Sequence, residues 1–130
     1  MILLDTHVWV WWVQADPKLT TPQQGHIAAN GPAGLGVSVI SCWEIALLDA
    51  AGKITLPVPV EDWVRTALAY PGVRLVDLSP EIAIASTRLP APFHKDPADR
   101  ILVATARVLD IPVLTADAKV LAYPHVRCLT

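Results

Sequence analysis

Cysteine is scarce in this chain of 130 residues: Cys42 and Cys128 are the only two, and their spacing fits neither a metal site nor a redox pair. Nothing points to secretion, so both read as free buried thiols rather than a disulfide. Basic charge is not in excess either. Ten Lys and Arg stand against 12 Asp and Glu, for a net charge of −2. That balance excludes a basic stripe holding nucleic acid by phosphate neutralisation alone, so a nucleic-acid substrate would need bound metal or a second subunit to attract it. Long hydrophobic runs are absent although 53% of the residues are hydrophobic and the mean hydropathy is +0.44. No run approaches the ~18 to 20 residues of a membrane span. No basic segment precedes the apolar Met1–Leu4, and Asp5 interrupts it, which argues against a signal peptide and for a cytoplasmic location. The four histidines, His7, His26, His94 and His125, follow no ligand spacing and read as ordinary surface or half-buried residues. There is no internal repeat, no low-complexity tract, and no visible motif for stacking or reading bases.

What the chain does contain is an alternation of apolar runs and amphipathic segments. Its length suits a single domain over residues 1–130, burying about two thirds of its unfolded surface. Met1–Leu4 reads as a buried parallel strand. Val8–Val13, with Trp9, Trp11 and Trp12, is apolar on every side and fits a helix in the alternation. A second helix runs over Thr20–Asn30 with Pro22 in its first turn, and Leu35–Ile40 is a β-branched strand. Ser41–Ala51 has helical spacing and opens with a capping-box pattern, Ser41-x-x-Glu44. Glu61–Tyr70 is a helix, Val73–Leu78 a strand, Ser79–Leu89 a helix, and Asp96–Leu109 the clearest helix, with Pro97 at its first position. Val113–Thr115 is a strand and a last one lies near Val126. This order predicts an α/β fold, a three-layer α/β/α sandwich around a mostly parallel sheet.

Five carboxylates fall where an apolar run ends or a helix begins: Asp5, Glu44, Asp96, Asp99 and Asp117. In a parallel sheet, strand carboxyl ends and the following helix starts share one edge, the edge at which such folds bind ligands. Two ionised carboxylates about 4 Å apart repel by roughly 4 kcal/mol at an effective dielectric of ~20, so gathering several requires an offsetting charge. Each acid also has a simpler explanation. Asp96 before Pro97 suits an N-cap, Asp99 at the third position gains from the helix dipole, Glu44 completes a capping box, and Asp117 suits a short following helix. Asp5, at the inner end of a central strand, is hardest to explain that way. The two explanations are compatible, because a dipole that keeps a carboxylate ionised keeps it ready for a hard cation. Oxygen donors without a His or Cys cluster favour Mg²⁺ or Mn²⁺, and phosphodiester hydrolysis is the natural use of such an ion.

The segments Asp5-Thr6-His7, Ser41-Cys42-Trp43-Glu44-Ile45, Gly52-Lys53-Ile54, Asp96-Pro97-Ala98-Asp99-Arg100 and Leu114-Thr115-Ala116-Asp117 together resemble the PIN-domain ribonucleases of the VapC toxin type, in order and over almost the whole chain. The resemblance implies an Mg²⁺-dependent endoribonuclease, toxin of a type II toxin–antitoxin pair, cleaving RNA by a metal-activated water to leave 5′-phosphate and 3′-hydroxyl ends. It assigns Asp5, Glu44, Asp99 and Asp117 to the catalytic metal site, Asp5 and Asp99 foremost, with Asp96 as an accessory acid. Thr6 and Thr115 would be hydroxyls that orient carboxylates or metal waters. It further implies a homodimer and a cognate VapB-type antitoxin. Ala98 stands where a larger apolar residue is common, and Lys95 where arginine is common; neither touches the expected ligands.

Three other readings compete. A metal-free acid–base ribonuclease using His7 and His94 would survive chelation. A catalytically idle interaction module would use the same acids as caps. A phosphoacceptor receiver domain shares the length and layering but needs paired acids after the first strand, where Asp5 stands alone, and a lysine where Asp117 lies. The wholly apolar Val8–Val13 is either a deeply buried central helix or a surface covered by a partner. Arg100 and Arg107 either reach phosphate or an antitoxin carboxylate, or are simply solvated.

Overall fold

Ile2, Leu3 and Leu4 form β1 (Ile2–Leu4), buried along its whole length, and every other element is arranged around it. In the computed structural model, which describes residues 1–130, α1 (Thr6–Val13) and α2 (Thr21–Asn30) follow, then β2 (Leu35–Ser38), α3 (Val39–Ala50), α4 (Val60–Leu68) and β3 (Val73–Val76). The chain continues through α5 (Pro80–Ser86), α6 (Pro97–Leu109), β4 (Val113–Leu114), α7 (Ala118–Leu121) and β5 (Cys128–Leu129). The strands lie in the order β3-β2-β1-β4-β5 and all four pairings are parallel. The expected α/β sandwich is therefore present, and its sheet is parallel throughout.

Alternation along β1 sorts its side chains to two faces. Ile2 and Leu4, with Leu35, Val37 and Leu114, pack on Val8 and Trp9 of α1, Ile27 of α2, and Trp63 and Ala67 of α4. Leu3 and Val113 face the other way onto Leu102 and Ala106 of α6. Behind α6, Val103 and Ala104 meet Ile82, Leu89, Val120 and Tyr123. The α3 helix stands across the end of the sheet, with Ile45 in the first cluster and Ile40 against the second.

The first half of the all-apolar stretch Val8–Val13 is buried by its own chain. Trp9 is fully buried and meets Trp63 edge-on at 5.3 Å, while Trp12 meets Tyr70 at 5.4 Å. Trp11, Trp12 and Val13 pack partly buried against the same core. The central-helix reading therefore holds for Val8, Trp9 and Val10, while Trp11, Trp12 and Val13 keep part of their surface exposed.

Several expected boundaries move. β2 ends at Ser38 rather than Ile40, because the Ser38 hydroxyl accepts the Ile40 amide at 3.1 Å and α3 starts at Val39, two residues early. Ser41 is thus inside the helix and fully buried, and the Ser41–Glu44 capping box does not form. Helix α1 begins at Thr6 because Asp5 caps it, and the last strand, expected near Val126, is Cys128–Leu129. The α5 helix stops at Ser86, short of Leu89. Cys42 and Cys128 are free but half-buried, not buried. No helix is long and apolar enough to cross a membrane.

The turn entering β3 holds the first face together: Gly72 accepts the Leu35 amide at 2.8 Å and has φ +85°, and a Cβ there would meet the Gly31 carbonyl oxygen at 2.8 Å. Gly52, with φ +68°, has open space around it. Gly52→Ala should therefore lose only the left-handed backbone preference, about 1 kcal/mol, whereas Gly72→Ala should lose about 3 kcal/mol or more. Urea denaturation of the two variants measures this, and equal losses would mean the Gly31 backbone yields freely.

Candidate active site

The strand order places β2 on one side of β1 and β4 on the other, so the chain leaves the carboxyl ends of β1 and β4 in opposite directions and opens a crevice between them. Asp5 follows β1 at this crevice, and Thr115 and Asp117 follow β4. The Asp5 amide donates to the Leu114 carbonyl at 3.0 Å, which continues the ladder one residue past the strand and locks the Asp5 backbone in place. Its carboxylate accepts the Thr6 amide on Oδ1 at 2.7 Å and the Thr115 hydroxyl on Oδ2 at 2.6 Å. The Thr115 oxygen in turn accepts the Asp117 amide at 3.0 Å. Both of its hydrogen-bonding roles are filled, so it links the two acids on either side of the crevice.

Thr6 is wholly buried and donates its hydroxyl to Ser41 Oγ at 2.8 Å, joining the first turn of α1 to α3. Glu44, one turn beyond Ser41, is half-buried at the same edge. Burial raises its carboxyl above the usual range; the Thr6 hydroxyl opposes this, Asp5 adds to it, His7 opposes and Asp96 adds. Asp5 is only 7% exposed, and burial likewise raises its carboxyl against the bonds from Thr115 and Thr6 and the nearby His7.

Helix α6 delivers the other two acids. Asp96 caps it, accepting the Ala98 and Asp99 amides at 2.9 and 3.4 Å, with Pro97 in the first turn. The cap fixes where Asp99 emerges. The Asp99 carboxyl is pushed up to about 7, first by burial and then by the charges of Asp5, Asp96, Asp117 and Glu44. The other four acids singled out by their placement thus all act on the Asp99 carboxyl. Asp117 also caps a helix, accepting the Lys119 and Val120 amides at 2.8 and 3.3 Å. The capping explanation holds for Asp96 and Asp117 and in part for Asp5; for Glu44 it fails.

His94 belongs to this site although it has no ligand spacing. Its Nε2, buried, lies 3.0 Å from Asp99 Oδ2 without hydrogen-bond alignment, and its Nδ1 faces the Asp96 amide at 3.4 Å. An Nδ1 that accepts leaves the ring proton on Nε2, toward Asp99. The only signal in the sequence is its place two residues before Asp96. Arg100 does not reach outward. Its guanidinium donates to the carbonyls of Ser86, Phe93 and His94 and fastens the loop before α6. Arg107 donates to the His125 carbonyl.

The donor set is hard oxygen with its negative charge uncompensated, which suits a divalent cation rather than a soft one. No three His, Cys, Asp or Glu side chains are closed around one point in this conformation. The acids share a crevice while their oxygens engage backbone amides, threonine and histidine.

Comparison with known proteins agrees with this architecture. The chain is 33% identical over 129 residues to Ribonuclease VapC22 of Mycobacterium tuberculosis, covering 99% of this chain and 96% of that protein. Its fold is similar to VapBC2 from Rickettsia felis bound to a promoter DNA fragment, with a TM-score of 0.72 at 15% identity over 99% of this chain and 98% of that one. FitAcB from Neisseria gonorrhoeae gives 0.70 at 18% identity over 100% and 97%. The strand order also excludes the receiver-like alternative, whose doubly wound sheet runs 2-1-3-4-5. The PIN-domain family model matches residues 2–125, and the chain belongs to that family.

Proposed function

We propose that this chain is a divalent-metal-dependent endoribonuclease, the toxin of a type II toxin–antitoxin pair, working as a single domain over residues 1–130 in the cytoplasm. The observation that carries this reading is Asp99, whose carboxyl is raised to about 7 by burial and by four other carboxylates drawn from α3, α6 and the ends of β1 and β4. Such a cluster is stable in its ionised form only beside a cation. A relative named as a ribonuclease, aligned over nearly its whole length, supports the same activity.

Asp5, Glu44, Asp99 and Asp117 would hold the ion, with Asp96 as an accessory acid; Mg²⁺ is the expected occupant and Mn²⁺ a substitute. Bound there, a divalent cation lowers the pKa of water and neutralises charge on a phosphoryl oxygen. Thr115 fixes the Asp5 carboxylate by its 2.6 Å bond, and Thr6 does the same for the α1–α3 junction beside Glu44. The Asp96 cap aims Asp99, and the burial of Asp5 keeps bulk water from loosening its oxygens. Water activated at such an ion, rather than the RNA 2′-hydroxyl, is the expected nucleophile, so the expected products carry 5′-phosphate and 3′-hydroxyl ends. A cognate VapB-type antitoxin is the expected partner, in keeping with relatives solved as VapBC and other toxin–antitoxin complexes. A homodimer is expected too; with a net charge of −2, RNA attraction relies on the ion or on a second subunit.

Asp5→Asn and Asp99→Asn should each lower cleavage of total RNA by at least a hundredfold while the protein still melts cooperatively, and EDTA should abolish wild-type cleavage until Mg²⁺ is restored. Cleavage that survives EDTA, or ends bearing 2′,3′-cyclic phosphate, would instead favour the acid–base pair His7 and His94.

Asp99 also sets a pH dependence. Its folded value of about 7 lies above the ordinary 3.8, so the folded protein takes up a proton that the unfolded chain releases. The stability this supplies is complete below about pH 4 and lost as the pH rises through 7. Thermal melts of the metal-free protein should therefore rise on acidification from pH 8 to pH 5. Added Mg²⁺ should raise the pH 8 melt most and flatten the profile; a profile unchanged by Mg²⁺ would contradict the ion's place beside Asp99.

A further inference from the structure

Beside the acidic crevice lies an open cleft of about 550 Å³, lined by Pro92, Phe93, His94, Lys119, Tyr123 and Pro124 among others. The proposed nuclease chemistry does not use it, yet it is continuous with that site at two points. His94 faces the cleft with its ring and Asp99 with its Nε2, at 3.0 Å. Lys119, on the opposite side, donates its amide to Asp117 at 2.8 Å. The cleft therefore starts where the acids end.

Its lining is unlike the rest of the crevice. Phe93 and Tyr123 lie with ring centroids 4.4 Å apart at 40°, Phe93 and His94 4.5 Å apart at 56°, so three tilted aromatic rings make one cluster with Phe93 and His94 outermost. Tyr123 is buried and anchored by its hydroxyl on the Pro90 carbonyl at 2.7 Å, forming a fixed floor. Phe93 and His94 are half-buried, and the Arg100 guanidinium holds both of their carbonyls, so the upper rings are also prepositioned. The Lys119 side chain is exposed and in no ion pair of the chain. Aromatic faces flanked by a free cation suit a nucleotide, whose base stacks without regard to sequence while its phosphate meets the ammonium.

We propose that this cleft is a nucleotide subsite for single-stranded RNA: the base adjoining the scissile phosphate stacks on Phe93 with His94 at its edge and Tyr123 behind, and Lys119 meets the neighbouring phosphate. This deepens the ribonuclease reading and rests on it. A single strand seated here enters the acidic crevice directly, and the chain, lacking a basic stripe, gains a foothold on RNA through stacking rather than through charge alone.

The test is binding of a fluorescent single-stranded oligoribonucleotide to Asp5→Asn protein, which prevents turnover, followed by anisotropy. Adding Phe93→Leu, which keeps apolar bulk and removes the ring, should weaken binding about fivefold to a hundredfold, the range for one lost base–aromatic stack. Lys119→Ala should weaken binding and lower the slope of log Kd against log salt by about 0.7, one phosphate contact on a single strand. An abasic residue moved along the oligonucleotide should weaken binding to the Asp5→Asn parent at one position and lose nothing further with Phe93→Leu. Phe93→Leu binding as tightly as the parent, or abasic oligonucleotides binding as tightly as intact ones at every position, overturns the subsite while leaving the nuclease reading intact. Absence of RNA cleavage by the wild type with Mg²⁺, together with absence of oligonucleotide binding by the Asp5→Asn parent, overturns both.

Discussion

Repulsion between carboxylates gathered at one partly buried sheet edge is the constraint on which this structure turns. Asp5 is nearly inaccessible at the end of the central strand, and Asp99 is held among four other acids by the cap that starts α6. A fold selected only for stability would not place a carboxylate at either position, since burying charge without a counter-ion is strongly unfavourable. The hydrogen bonds on Asp5 reduce that penalty without removing it: its carboxyl remains raised despite accepting from Thr6 and Thr115. The remaining imbalance points to what the crevice is built to receive.

The rest of the fold serves to maintain that placement. Three buried residues of β1 anchor Asp5 from one side, and the parallel pairing of Leu4 with Leu114 brings Thr115 within 2.6 Å of it, across 110 residues of sequence. The buried sides of α1 and α6, one on each face of the sheet, keep the two halves of the crevice from sliding apart. Thr6 and Ser41 tie α3 to α1 at the same level, which sets the height of Glu44. Local capping and site assembly are thus one arrangement: the helix starts that satisfy backbone amides also aim the acids.

Much of this was legible in the residues. The strand and helix alternation, the parallel layering, the Asp96 cap with Pro97, and the convergence of Asp5, Glu44, Asp96, Asp99 and Asp117 all follow from apolar runs punctuated by acids. What misled was local chemistry with two solutions. Ser38 and Ser41 both precede suitable helical spacing, and only the burial of Ser41 against Thr6 decides that Ser38 is the cap. The apolar run Val8–Val13 gives no periodicity from which to tell a core-facing side from an outer one; Trp63 and Tyr70, more than 50 positions away, show which side of α1 faces the core. The aromatic cleft was illegible for the same reason, since Tyr123 meets Phe93 only after α6 and β4 have folded between them.

The most direct test of the account is anomalous diffraction from a crystal of this protein soaked in Mn²⁺. The account predicts an anomalous peak in the crevice, bonded to carboxylate oxygens of Asp5 and Asp99 with Glu44 and Asp117 around it. Mn²⁺ found only on the outer surface, with the crevice acids still engaged solely by amides and hydroxyls, would contradict it.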